Sequence, residues 1–365
     1  MTMPNSADGL DRLRLARTEG LGPQVFRRLL GRFGTARAAL DALPEFSKGK
    51  LCPPDASLAE REMAAVARLG GQFLFLGLPG YPLLLETLYD PPPAIALLGD
   101  PAALAPRAVG IVGARSASAA GRRLADALAA ELAKAGLVIV SGMARGIDAA
   151  AHIGAMREGR TVAVVATGLD RPYPAEHAAL QARIVAEGGA VLAEAPLGTA
   201  PLAQHFPRRN RIVAALAMGI VVVEAAQRSG SLITARLGLE LGRELFAVPG
   251  NPLDLRCRGS NDLIRQGAHL TESAEDVLPN LPEAPRDEPL FIPRPAPETA
   301  PSAPPPAGEA GQVFELVGTA AIAVDEVVRR CHLSPSAVQA ILLDLELAGR
   351  VEMLPGNRVA LTGRA

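Results

Sequence analysis

Leu137-Val138-Ile139-Val140-Ser141-Gly142-Met143-Ala144-Arg145-Gly146-Ile147-Asp148 is a short, unbroken apolar run that closes in small residues and feeds an alanine-rich segment. A run of this kind has the pattern of a strand buried on both faces, followed by a tight turn and a helix. The unit repeats outward along the chain. The strand candidates are Ala108–Val112, Leu137–Val140, Thr161–Ala166, Ala190–Ala193, Ile220–Glu224 and Glu244–Val248. Helical stretches lie between them, at Ala119–Ala135, Ala175–Glu187 and Ser231–Leu241, and in the first of these Leu124, Leu128 and Leu132 fall four apart on one face. Strands joined by right-handed helical crossovers predict an α/β fold with a doubly wound parallel sheet. Its ligand belongs at the carboxyl ends of the strands, where the loops gather.

At 365 residues the chain is long enough for two or three domains, and 49% hydrophobic with 21% charged residues is a globular composition. No apolar run approaches the length of a membrane span, and the first twenty residues lack a signal-peptide core, so the reading is a cytoplasmic protein. Cys52, Cys257 and Cys331 are too far apart for a CxxC motif. The net charge of −1 hides a gradient: residues 107–270 carry 19 Lys/Arg against 13 Asp/Glu, and residues 271–311 carry 2 against 8. A basic middle can hold a polyanion whatever the total. Aromatics are scarce, with no Trp, three Tyr and nine Phe, so any Phe that is not plainly core deserves a question.

Composition divides the chain into a helical N-terminal domain (1–75), an α/β core (76–278), a proline-rich linker (279–310) and a small C-terminal domain (311–365). The linker holds eleven prolines between Pro279 and Ala307 and buries too little surface to order itself. In the N-terminal part, Gly20-Leu21-Gly22 joins short helices, Pro23 opens the second, and Thr35 caps a third. That arrangement is similar to helix-hairpin-helix units that hold DNA phosphates on backbone amides; a plain helical bundle fits equally. The tail reads as three helices and a hairpin, a winged helix-turn-helix. Ser334 caps its third helix, Pro335 opens it, and Val338, Ile341, Leu342 and Leu345 form the buried stripe. Gly349 ends that helix, and Pro355-Gly356-Asn357 turns the wing.

Four loops carry the candidate chemistry. Gly110-Ile111-Val112-Gly113-Ala114-Arg115-Ser116 lets backbone amides approach an anion, with Arg115 within reach, but it is no GxGxxG motif and no acid follows to hold a ribose. Ser141-Gly142-Met143-Ala144-Arg145-Gly146 opens a helix whose free amides favour phosphate, unless its glycines serve packing alone. His205-Phe206-Pro207-Arg208-Arg209-Asn210-Arg211 sets a ring beside three arginines, the combination that holds single-stranded nucleic acid, though Phe206 can equally be core. Gln227-Arg228-Ser229-Gly230-Ser231 offers hydroxyls and amides at another helix start, with ordinary capping as the alternative. Four such loops on one rim argue for several phosphates, hence a polymer. The five histidines show no metal spacing, and neither a GxSxG elbow nor a Walker loop is present, so the chain does not read as an enzyme. Asp148 reads as a brace for its loop.

These motifs, in this order, together with AVVATGLDRPYP, VVVEAAQRSGSLITA and FAVPGNP, resemble the DNA-processing protein A family (DprA, also called Smf). The resemblance covers about Gly80 to Leu278, and the N-terminal and C-terminal parts fit the family's usual additions. It implies an extended Rossmann-like core, a helix-hairpin-helix (SAM-like) N-terminal domain and a C-terminal winged helix. The implied function is single-stranded-DNA binding without strong sequence preference, strand protection, and loading of RecA during natural transformation and recombination. Homodimerisation is implied; a cofactor, metal or turnover is not. Carried onto this chain, the pocket uses Arg115, Ser141, Gly142, Arg145, Phe206, Arg208, Arg209, Asn210, Ser229, Gly230 and Ser231, with Phe206 stacking on a base. Two other readings share the outline: a nucleotide-processing enzyme of phosphoribohydrolase type, and a protein-interaction scaffold. In the tail, Ser336–Leu347 carries Asp344 and Glu346 and no Lys or Arg, which favours protein contact or regulation over duplex reading.

Overall fold

The computed structural model describes residues 7–104, 107–282, 309–318, 321–347, 350–354 and 356–361. They form two compact units. One runs from Glu60 through the α/β portion; the other joins the segment before Ala59 with the described tail.

The chain opens with α1 (Ala7–Ala16), α2 (Pro23–Phe33) and α3 (Ala36–Phe46). Gly34, at φ +76°, ends α2 by donating its amide to Leu30 O, and the Thr35 hydroxyl caps α3 by accepting from Ala38 N. Leu13, Leu15, Phe26, Leu29 and Leu43 are fully buried among these helices. A fourth helix, α4 (Ala56–Arg68), leads into β1 (Gly71–Phe75).

The sheet then builds through α5 (Leu83–Glu86), β2 (Ala94–Gly99), β3 (Ala108–Gly113), α6 (Ala119–Lys134), β4 (Val138–Ser141), α7 (Ile147–Glu158), β5 (Thr161–Val165), α8 (Ala178–Ala186) and β6 (Ala190–Ala193). It continues through α9 (His205–Leu216), β7 (Gly219–Val223), α10 (Gly230–Glu240), β8 (Glu244–Ala247), α11 (Arg258–Arg265) and β9 (His269–Leu270). The strand order is β1-β2-β6-β5-β4-β3-β7-β8-β9. All six expected strands are present and parallel. The sheet is nonetheless mixed, because β1 and β2 pair antiparallel at one edge. The sheet therefore starts at Gly71, before the expected boundary at residue 76. The segment Ala175–Glu187 is a short 3₁₀ turn followed by α8 rather than one helix.

The order reverses at β3. From it the chain winds outward through β4 to β6, then returns by α9 to β7 on the other side. The loops after β3 and β7 leave neighbouring strands in opposite directions, which opens a crevice at their carboxyl ends. Beneath it, Val109, Ile111, Val221 and Val223 pack with Ile139, Leu128 and Leu132 in one core.

In the second unit the tail forms α12 (Glu309–Leu316), β10 (Ile322–Ala323), α13 (Val324–Cys331), α14 (Pro335–Leu347), β11 (Val351–Leu354) and β12 (Arg358–Leu361). This is the expected winged helix, with β10 added to the wing in the order β10-β12-β11. Val338, Ile341, Leu342 and Leu345 are buried with Val313, Val327 and Val359, and the Ser334 hydroxyl accepts from Ala337 N. The same unit holds two ion pairs between distant parts of the sequence: Arg32 with Asp344 at 2.6 Å, and Arg28 with Glu346. Most of the proline-rich stretch, residues 283–308, lies outside the described residues, as do Gly349 and Pro355.

His152 on α7 is wholly buried, with Nδ1 2.7 Å from the Thr161 hydroxyl. That hydroxyl donates to Ile139 O, so Nδ1 carries the proton of a neutral ring. Burial, helped by the nearby Arg209 charge, pushes the ring's pKa down to about 3. The unfolded chain protonates this group near 6.5 and the folded chain only near 3, so stability falls as pH drops through that interval. In His152→Gln the melting temperature should change less between pH 6.5 and 4 than in the parent; parallel curves would exclude His152 as the source.

Candidate nucleic-acid interface

The crevice at the switch point is an open groove of about 850 Å³. Gly113–Ser116 after β3, Gly142 and Ala144 after β4, the start of α9 and the loop into α10 all contribute to its walls. Phe206 stands among them, half-buried. The Arg115 guanidinium carbon lies 5.0 Å from its ring centroid, and the Tyr173 ring meets it edge-on at 5.7 Å. Arg115 and Arg228 are exposed, and among the described residues neither has a carboxylate partner. At the start of α10, Ser229 caps the helix by accepting from Ser231 N, while Gly230 faces open space. Aligned helix amides beside unpaired cations and an aromatic face are features that hold a nucleic-acid backbone.

The groove floor is held by charges turned inward. The Asp148 carboxylate is buried and accepts from Gly142 N at 3.1 Å and Ala144 N at 3.2 Å. Burial raises its pKa, and the Arg209 charge opposes that shift. Arg209 lies under Gly142, so close that a Cβ there would overlap its guanidinium. Its Nη1 donates to Val164 O at 2.7 Å, and burial lowers its pKa to about 10, which leaves it charged at neutral pH. Gly146 has φ +75°, and a side chain there would press on Ala114 O. The two diverging loops are tied by Glu224, at the end of β7, which accepts from Ser118 N at 2.8 Å and from the Ser118 hydroxyl.

The structure sorts the expected pocket residues into two groups. Arg115, Gly142, Phe206, Arg209, Asn210, Ser229, Gly230 and Ser231 line the groove, although Arg209 is only 6% exposed. Asn210 donates to Gly230 O at 3.3 Å, which joins the starts of α9 and α10. Ser141 is fully buried and donates to Ile111 O at 2.6 Å, so it braces the sheet. Arg145 lies outside the lining and makes a forked pair with Glu176, both bonds at 2.7 Å. Arg208 faces Glu194 at 3.6 Å. Arg211 is held by Glu194 at 2.7 Å and Asp90 at 3.4 Å. The arginine run is therefore no comb for phosphate: successive helix positions turn about 100° and send its members in different directions. Two of the expected free amides after β4, those of Gly142 and Ala144, are likewise occupied, by the chain's own Asp148.

Tyr173, Arg228 and Arg256 also line the groove and were not among the expected pocket residues. Tyr173 had a signal, as one of three tyrosines in an aromatic-poor chain. Arg228 stands directly before Ser229 in the sequence. Arg256 is paired at 2.7 Å with Asp254, only two residues before it, and no anion-binding motif in the sequence marks that stretch. Removing the brace tests the floor. Asp148→Ala loses two charge-assisted bonds and should destabilise by about 3 kcal/mol, while Asp148→Asn keeps an acceptor and should cost less. Equal thermal denaturation of both variants and the parent would rule out this role for Asp148.

Among the described residues, no helix is long and apolar enough to cross a membrane. Residues 72–282 match the family described as DNA recombination-mediator protein A, residues 6–65 the DprA-like N-terminal HHH domain, and residues 297–357 the DprA winged helix domain. Protein Smf of Escherichia coli (strain K12) is 41% identical over 289 residues, 77% of this chain and 75% of that protein. DNA processing protein DprA of Bacillus subtilis is 42% identical over 225 residues, 61% of this chain and 75% of that one. The X-ray structure of DNA processing protein A from Streptococcus pneumoniae superposes with TM-score 0.66 at 33% identity, covering 77% of this chain and 99% of that one. A structure on the single-stranded DNA binding mode of DNA processing protein A from Helicobacter pylori superposes with TM-score 0.51 at 31% identity, covering 57% and 94%. A nine-stranded sheet with its groove at the switch point, a helical N-terminal part and a winged helix thus accord with a family match across most of the described chain: it belongs to the DNA recombination-mediator protein A family.

Proposed function

We propose that the groove binds single-stranded DNA without strong sequence preference. The observation that carries this reading is Phe206, an aromatic face inside a groove whose Arg115 and Arg228 have no carboxylate partner among the described residues. A base stacks on Phe206, beside Tyr173. Arg115, Arg228 and the amides at the start of α10 take the phosphates. Asn210, Ser229 and Ser231 keep the two helix starts in register, and Gly230 lets the backbone come close. Gly142 and Arg209 shape the floor. Arg145 and Arg208, both exposed, meet the strand only where it runs past the groove. Every base has a π-face and every nucleotide a phosphate, so such a site tolerates sequence. The chain works by holding its ligand rather than by turnover, since the groove's buried carboxylate is already engaged by backbone amides. The proposal extends, as the resemblance of the loop motifs implies, to a homodimer that acts in the cytoplasm, protects the strand and loads RecA onto it during transformation and recombination. The Helicobacter relative, described for its single-stranded DNA binding mode, supports the ligand assignment.

Titration of labelled oligo-dT by fluorescence anisotropy tests this. Phe206→Ala should weaken binding by about 1–3 kcal/mol, the worth of one stacked base, without changing the melting temperature. Arg228→Gln should reduce the slope of log K against log salt by about 0.7, one phosphate contact on a single strand. Parent-like binding by both variants would place the DNA elsewhere.

A further inference from the structure

The acids of the winged helix remain without a role in the groove. Asp344 and Glu346 lie in the last turn of α14, which has no basic residue there. A carboxylate in that position faces the negative end of the helix dipole and is locally unfavourable. The compensation comes from the N-terminal helices. Arg28 and Arg32 of α2 are one turn apart and share a face. Arg32 pairs with Asp344 at 2.6 Å and Arg28 with Glu346. Glu346 also accepts from Met353 N at 3.4 Å, which links the clasp to the wing. The Arg28 and Arg32 side chains keep only 21% and 27% of their exposure. A guanidinium fork grips a carboxylate and a phosphodiester through the same planar pair of oxygens.

We infer that α14 is an intrachain competitor for nucleic acid: its carboxylates occupy Arg28 and Arg32 of α2, and these arginines form a second phosphate-binding face, separate from the groove, when the clasp opens. The helix that would read a duplex in a basic winged helix is here engaged by the chain's own cations. The occupant of the opened face is a DNA backbone, because the groups it displaces from the two arginines are anionic oxygens.

The test uses the full chain carrying Phe206→Ala, so that groove binding is weak and its failure is read separately. In that background Asp344→Asn with Glu346→Gln should bind a long dT oligonucleotide several-fold more tightly at low salt. The slope of log K against log salt should steepen by about 1.4, two phosphates on a single strand. Adding Arg28→Gln and Arg32→Gln should abolish the gain, whereas the same arginine changes in the closed chain should leave binding nearly unaltered. Lower thermal stability with unaltered binding would mean a purely structural tie and overturn the inference, as would no change in either. A gain that survives loss of the arginines would be a net-charge effect and overturn it too. Should the double variant lose cooperative unfolding, Asp344→Asn alone, whose carboxylate is 39% exposed, is read in the same way.

Discussion

A guanidinium buried beneath a glycine and a carboxylate bound by backbone amides hold the floor of the groove. Arg209 fits under Gly142 because that residue has no side chain, and it anchors to the carbonyl of Val164 on β5. Asp148 gathers the amides of Gly142 and Ala144 from the other side of the turn. The loop after β4 is thereby fixed at the height where it meets α9. Glu224 performs the same service across the switch point, bound to Ser118 before α6. Such groups are expensive to bury unless satisfied, so their presence specifies one loop arrangement.

Fixing the loops from below leaves the upper surface free to present a ligand face. Charges that are paired, such as Arg145 with Glu176 and Arg211 with Glu194, add little attraction for an anion. Arg115 and Arg228 are the cations that face the groove without a carboxylate among the described residues. The surface assigned to DNA is therefore narrower than the arginine content of the loops, and it is centred on Phe206.

The second unit follows the same logic of charge against charge. Acids in the last turn of α14 oppose their own helix dipole and are matched by arginines from a helix some three hundred positions earlier. Two segments at opposite ends of the chain are thus brought into one compact unit.

The six parallel strands, several of the helices between them, the gathering of the ligand loops at the strands' carboxyl ends and the winged helix were legible from the sequence alone. Unbroken apolar runs and capping residues are local signals, and the physics behind them acts over a few residues. The antiparallel edge of β1 and β2 was not, because a short apolar segment after a helix is equally a packing strand or a loop. Nor did spacing tell which arginine of Arg208, Arg209 and Arg211 would be buried, paired or exposed. That depends on Val164, Glu194 and Asp90, which come from other strands and loops. The sequence by itself determined which loops would carry anion-binding chemistry. Only the tertiary structure decided which of their charges face outward, because a charge is free or neutralised according to partners that folding brings from far along the chain.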